Sequence, residues 1–283
     1  MKNPETPPHL EYNLAGGLLL TCTSKDLEKL CAEVKAAGYE YACVLPFRGL
    51  ANKLDSLSQI TVVHLEDAWN PTPYDSLPLA VLAGLIGYAR RLGGNKTHPP
   101  ILQDAFFPGK ATCEKLLKEL MTTFSETTFI SHKVTTAWPP NRLLLEIHQG
   151  LNLTPAEILD LAEREGFGLV FDPSHLLPSG KTSLPGQPVS QPRGEWETQF
   201  NVFSRSGKVE VVDINPPKKE DVSDLLKGRG LLAELAAAAK EIPSIDFLRV
   251  EVMMPISSQI PLSPNQKQGF KFLKEIGEAL RAA

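Results

Sequence analysis

Acidic and histidine side chains close a series of short apolar runs in this sequence. His64 ends the run Ile60–His64, His132 ends Thr128–His132, and Glu146 stands in Leu143–Ile147 with His148 directly after it. Asp172 ends Gly168–Asp172 with His175 three residues on, Asp213 ends Val209–Asp213, and Glu251 closes on the end of Phe247–Val252. Four of the six histidines and four carboxylates thus share one kind of position. Brought together, such carboxylates repel and the imidazoles lose solvation unless protons or a cation compensate. A divalent metal is the usual compensation, and mixed imidazole and carboxylate ligation suits Zn2+ or Mn2+ better than Ca2+.

Each residue also has a plainer role. A strand-end aspartate such as Asp172 or Asp213 can simply cap the next helix. His64 and His132, taken singly, fit half-buried polar tips. Glu146 and Glu251 are harder to place that way. Both follow apolar residues in strands expected to be buried on two faces, where an unpaired carboxylate is costly.

The elements that must position these groups alternate between β-type runs and helical patterns, which predicts βα units on a parallel sheet. Gly17–Thr21 reads as the first strand, and Thr23 to Gly38 as a helix with Leu27, Leu30, Cys31 and Val34 at helical spacing. Tyr41–Leu45 and Ile60–His64 follow, then a long excursion with helices at Ser76–Leu92 and Ala111–Phe124. Thr128–His132 reads as the fourth strand and Leu143–Ile147 as the fifth, joined across Trp138-Pro139-Pro140 with no room for a crossover helix. Thr154, Pro155 and Glu157 sign the start of a helix with Ile158, Leu161 and Ala162 on its apolar stripe and Gly166 at its end.

Gly168–Asp172 is the sixth strand, and a Pro/Ser/Gly-rich loop over Leu177–Gly194 follows it. Val209–Asp213 and Phe247–Val252 complete the strands, with helices over Leu231–Ala239 and from Pro264 to Leu280. Eight strands mostly separated by helices predict a single (β/α)8 TIM-barrel domain over residues 1–283, with a long β3–β4 excursion and a shortened β4–β5 connection. A doubly wound sheet is the alternative, but no Gly-rich phosphate turn follows the first run. In such a barrel the site lies at the C-terminal ends of the strands.

Composition narrows the class further. The 283 residues are 42% hydrophobic and 22% charged with a net charge of −4, which excludes a disordered chain. The 29 basic residues against 33 acidic ones leave no basic footprint, which argues against nucleic acid as a partner. Cys22, Cys31, Cys43 and Cys113 lack CxxC spacing and fit buried thiols in a reducing compartment. No secretory pattern opens MKNPETPPHLEYN, and no apolar stretch is long enough for a bilayer, so the expectation is a soluble cytoplasmic protein. Trp69, Trp138, Trp196, Phe106 and Phe107 are expected in loops, lining a substrate pocket, a homo-oligomer contact, or plain packing.

LLLEIHQG (Leu143–Gly150), GLVFDPSHL (Gly168–Leu176), VEVVDIN (Val209–Asn215) and LRVEVM (Leu248–Met253) resemble segments of the xylose-isomerase-like barrel superfamily. KGRGLLAEL (Lys227–Leu235) and VHLEDAWN (Val63–Asn70) are similar to two further segments of that group. It contains sugar-phosphate isomerases and epimerases and metal-dependent apurinic endonucleases. The resemblance implies a divalent metal (Mn2+, Zn2+ or Mg2+) held by Glu146, Asp172, Asp213 and Glu251. It implies that Glu146 and Glu251 also pass a proton to and from a sugar carbon, with His64, His148 and His175 binding substrate.

The expected function is a metal-dependent isomerase or epimerase of a small-molecule carbohydrate. Two features depart from the superfamily pattern. Asp213 stands where histidine is usual, and no helix separates His132 from Glu146. An apurinic-site endonuclease-like phosphodiesterase is a second expectation, weakened by the lack of an Asp-x-His pair after Asp213. A non-catalytic barrel with a degraded metal site is the third.

Overall fold

The computed structural model describes residues 7–14, 24–44, 61–68, 101–103, 111, 114–115, 117–118, 128–130, 135–137, 144–148, 151, 153–175, 193–214, 223–251 and 264–283. They fall into two compact units, one of residues 1–63 with 211–283 and one of residues 64–210.

The first unit holds β1 (His9–Asn13), β2 (Tyr41–Val44), most of β9 (Val209–Ile214) and β10 (Phe247–Val250), with α1 (Ser24–Ala36), α4 (Leu231–Lys240) and α5 (Pro264–Ala282). Its sheet runs β2-β1-β10-β9, all parallel, with Leu10 level with Leu248 and Leu248 level with Val212. Parallel strands are covered on both faces, so β10 is buried at all four positions. On α1 the expected stripe of Leu27, Leu30, Cys31 and Val34 is buried throughout. The Tyr39 hydroxyl donates to the Leu273 carbonyl at 3.1 Å, which ties the turn after α1 to α5. Burial pushes that phenol well above its ordinary range, so it stays protonated as a donor. Gly230, at φ 81°, precedes α4 in a left-handed conformation that suits glycine.

The second unit holds β3 (Thr61–Ala68) from His64 onward, β4 (Ile101–Gln103), β5 (Thr128–Ile130), β6 (Thr135–Ala137), β7 (Leu144–Glu146) and β8 (Gly168–Phe171). Its helices are α2 (Pro155–Glu165) and α3 (Arg193–Ser204). Its parallel sheet runs β3-β4-β7-β8. α2 begins as the sequence predicts. The Thr154 side chain accepts from the Glu157 backbone, Glu157 Oε2 accepts from the Thr154 backbone at 2.8 Å, and Pro155 opens the first turn. Ile158, Leu161 and Ala162 are buried, and Gly166 at φ 80° ends the helix with its N–H on the Ala162 carbonyl.

Several expectations need correction. The fourth parallel strand is Ile101–Gln103, which pairs with β3 on one side and β7 on the other. Thr128–Ile130 instead pairs antiparallel with Thr135–Ala137 in a separate two-stranded sheet. The shortened β4–β5 connection of the sequence reading therefore falls away. Among the described residues between Gln103 and Leu144, Ala111, Glu114, Lys115, Leu117 and Lys118 are helical. A three-residue strand behind Pro99-Pro100 shows no alternation, whereas the Thr-rich stretch has strand propensity that a hairpin satisfies equally well.

The first strand is His9–Asn13. Gly17–Thr21 lies outside the described residues, as do Ser76–Leu92, His132, Trp69, Trp138, Phe106, Phe107 and most of the 177–194 loop. Trp196, expected in a loop, is buried on α3 with its ring tilted against Phe200, which packs edge-on to Phe171. Among the described residues no helix is long and apolar enough to cross a membrane.

Candidate active site

In the second unit three side chains that the sequence placed at the ends of two apolar runs meet. Glu146 is the last residue of β7 and is fully buried. It stands level with Val170 in β8, and Asp172 follows two residues beyond that level, buried as well. Asp172 then shapes the turn that follows. Its Oδ1 accepts from the Ser174 backbone N–H at 2.7 Å and its Oδ2 from the Ser174 hydroxyl at 2.8 Å, an aspartate turn of the usual kind. The Asp172 carbonyl accepts from the His175 N–H at 3.2 Å, so the chain doubles back.

That turn carries the His175 ring to the carboxylates. Its Nδ1 lies 2.8 Å from Glu146 Oε1 and 3.4 Å from Asp172 Oδ2, and about a quarter of the side chain, 27%, remains exposed. His148, just past β7, is buried and meets His175 edge to face, with ring centroids 4.7 Å apart. Burial, and then the proximity of His175, lower its pKa to about 4, so His148 is neutral at physiological pH.

One ligand atom each from Glu146, Asp172 and His175 lies within 4.8 Å of the other two. Two buried carboxylates against one imidazole leave excess negative charge in a place with little solvent, the condition under which a divalent ion is favourable. Two oxygens and one nitrogen form a donor set suited to Mn2+ or Zn2+. These three residues fit the metal that the sequence reading implied. His175, expected to contact substrate, is placed by the turn among the donors.

The first unit arranges its charges differently. Asp213 does not stand past the end of a strand but inside β9, level with Arg249 of β10, which in turn is level with Glu11 of β1. All three are fully buried. Arg249 grips Asp213 with both arms of its fork, Nε to Oδ1 at 2.6 Å and Nη2 to Oδ2 at 2.5 Å. Nη2 also lies 3.2 Å from Oε1 of Glu251, and Asn13 Nδ2 donates to the same oxygen at 2.6 Å. Glu251 is nearly buried, at 10% exposure of its side chain.

Of the residues singled out from the sequence, His64 lies in β3. Ser174, Asn13 and Arg249 were not foreseen. Arg249 had a legible signal: it shares a strand face with Glu251 two residues on, inside an otherwise apolar run. Ser174 is legible as part of Asp-Pro-Ser turn chemistry, while Asn13 carries no signal of its own.

No family model and no curated relative matches the sequence. Solved structures do. A D-allulose 3-epimerase from Methylomonas sp. is similar at a TM-score of 0.60 and 15% identity, over 98% of each chain. An L-ribulose 3-epimerase is similar at 0.59 and 15%, covering 97% of this chain and 95% of that one. A family 2 AP endonuclease from Brucella melitensis gives 0.51 at 13%, covering 86% and 92%. At such identities the likeness speaks for the fold and leaves the reaction open. The described strands and helices thus form a parallel α/β fold similar to that of these solved structures.

Proposed function

We propose that this protein is a divalent-metal-dependent isomerase or epimerase acting on a sugar or sugar-like small molecule. The observation that carries the reading is the convergence of Glu146, Asp172 and His175 after the C-terminal ends of β7 and β8. The epimerase structures that share the fold support the carbohydrate as substrate class.

A cation bound by that trio would polarise a substrate carbonyl and make the neighbouring carbon acidic. The rest of the chemistry belongs to side chains of the chain itself. Glu146 and Glu251 are the carboxylates that take and return the proton in this reading. Neutral His148 orients the partly buried ring of His175 by edge-to-face packing. His64 is the further substrate-binding residue in this reading. Glu251 is aimed by its hydrogen bond from Asn13.

The test is proton exchange. The purified chain with Mn2+ is incubated with a panel of ketoses in heavy water, and loss of the α-proton signal is followed by NMR. Exchange that disappears with a chelator and in Glu251→Gln is the expected result. No exchange with any ketose would overturn the function, and full exchange in Glu251→Gln would remove the role of that residue. Cleavage of an abasic-site duplex under the same conditions would favour the phosphodiesterase reading instead.

A further inference from the structure

The structure does not treat Asp213 as it treats Glu146 and Asp172. The latter two meet an imidazole, whereas both oxygens of Asp213 accept from a guanidinium. Asp213 also lies one residue inside β9, level with Arg249 and therefore two residues short of the level of Glu251. A divalent ion at Asp213 would have to compete with a buried, bidentate, charge-assisted pair and sit close to its guanidinium. Although one oxygen each of Asp213 and Glu251 lie within 4.8 Å of one another, the position where the resemblance implies a metal ligand is thus already neutralised by a guanidinium.

We infer that Arg249 is the resident cation of the β9–β10 edge: it neutralises Asp213, withdraws it from metal ligation, and with Asn13 holds the Glu251 carboxylate in place. In that arrangement Arg249 is a positioning residue and Glu251 is the group it positions. The guanidinium suits the task because its planar fork reaches Asp213 with Nε and Nη2 while Nη2 also reaches Glu251. Its remaining arm, Nη1, points to the Cys43 sulfur at 3.8 Å. The role of Glu251 rests on the proposed function; the pairing of Arg249 with Asp213 does not.

Two measurements on the full-length chain decide the matter. The first is Mn2+ affinity, followed by the paramagnetic signal of the free ion. Glu146→Gln is expected to weaken binding by about tenfold or more, and Asp213→Asn by less than about threefold. A tenfold loss in Asp213→Asn would return Asp213 to the ligand set and overturn the inference. The second needs no metal and compares urea midpoints of metal-free wild type, Arg249→Met, Asp213→Asn and the double variant. Arg249→Met strands a buried carboxylate, so the double variant is expected to unfold at higher urea than Arg249→Met alone.

A double variant weaker than both single ones would show that the two residues do not act as a pair, and would also overturn the inference. If the wild type binds no Mn2+, the metal-dependent function fails while the urea cycle still decides Arg249. For positioning, Arg249→Lys keeps the charge and loses the fork. It is expected to lower kcat for exchange by about tenfold with KM unchanged, whereas an unchanged kcat would remove the positioning role.

Discussion

His175 Nδ1 lies 2.8 Å from Glu146 Oε1 across 29 residues of chain, and a single βα crossover accounts for the meeting. β7 delivers Glu146, α2 returns the chain, β8 delivers Asp172, and the Asp172–Ser174 turn swings His175 back over both. No distant segment is needed to assemble the trio. Because the imidazole bonds to a buried anion, removing the anion has two separable effects. Glu146→Gln in metal-free protein loses the hydrogen bond to His175 but also the repulsion between two buried carboxylates, so its cost is expected to stay below the about 1.5–3 kcal/mol of a charged hydrogen bond alone. The same variant loses the stabilisation that Mn2+ gives the wild type, which denaturation with and without the ion measures. An equal Mn2+ increment in both proteins would show that Glu146 is not a ligand.

Acidification should weaken the metal-free protein through His148. Its folded pKa of about 4 lies below the ordinary 6.5, so between those values the unfolded chain binds more protons than the folded one. Stability is therefore fully present above about pH 6.5 and falls as pH drops toward 4, by at most ~3 kcal/mol. Urea midpoints at pH 7 and pH 5 measure the loss. In His148→Gln, which cannot titrate, the difference between the two midpoints should shrink, and an unchanged difference would assign the effect to other groups.

Ser174→Ala separates turn geometry from ligand chemistry. The hydroxyl bond to Asp172 Oδ2 goes, while the backbone bond to Oδ1 stays. The expected cost is about 1 kcal/mol of stability with a roughly tenfold loss of Mn2+ affinity, the size of effect seen when a residue that orients a metal ligand is removed. Wild-type affinity in this variant would mean that the backbone contact alone fixes the carboxylate.

Thr154→Ala serves as the counterpart away from the site. It dismantles the capping box at the start of α2 and is expected to cost about 1 kcal/mol. Mn2+ affinity should not change. A drop in affinity would show that the position of α2 reaches the trio.

How much of this was legible in the sequence depended on whether the signal was local. The cap, stripe and terminal glycine of α2 lie within thirteen residues, from Thr154 to Gly166, and the structure has them as read. Glu146, Asp172 and His175 were legible as candidates because a charged residue closing an apolar run has few places to go. The identity of β4 was not. Three residues give no period, and the better-looking Thr128–Ile130 satisfied its backbone in a local hairpin. Arg249 was visible but unread, since its meaning depends on which residue of β9 stands level with it. Register is a property of the sheet, and no single strand carries it.

The first unit takes its strands from both ends of the 283 residues. β1 lies between β2 and β10, with Leu10 level with Leu248. During synthesis β1 therefore leaves the ribosome with one neighbour soon to follow and the other still to be translated, more than two hundred residues away. Until then an open strand edge faces solvent, inviting wrong pairing between nascent chains. A chain halted short of Phe247 should consequently depend on chaperones far more than the finished one, however well its second unit has already folded.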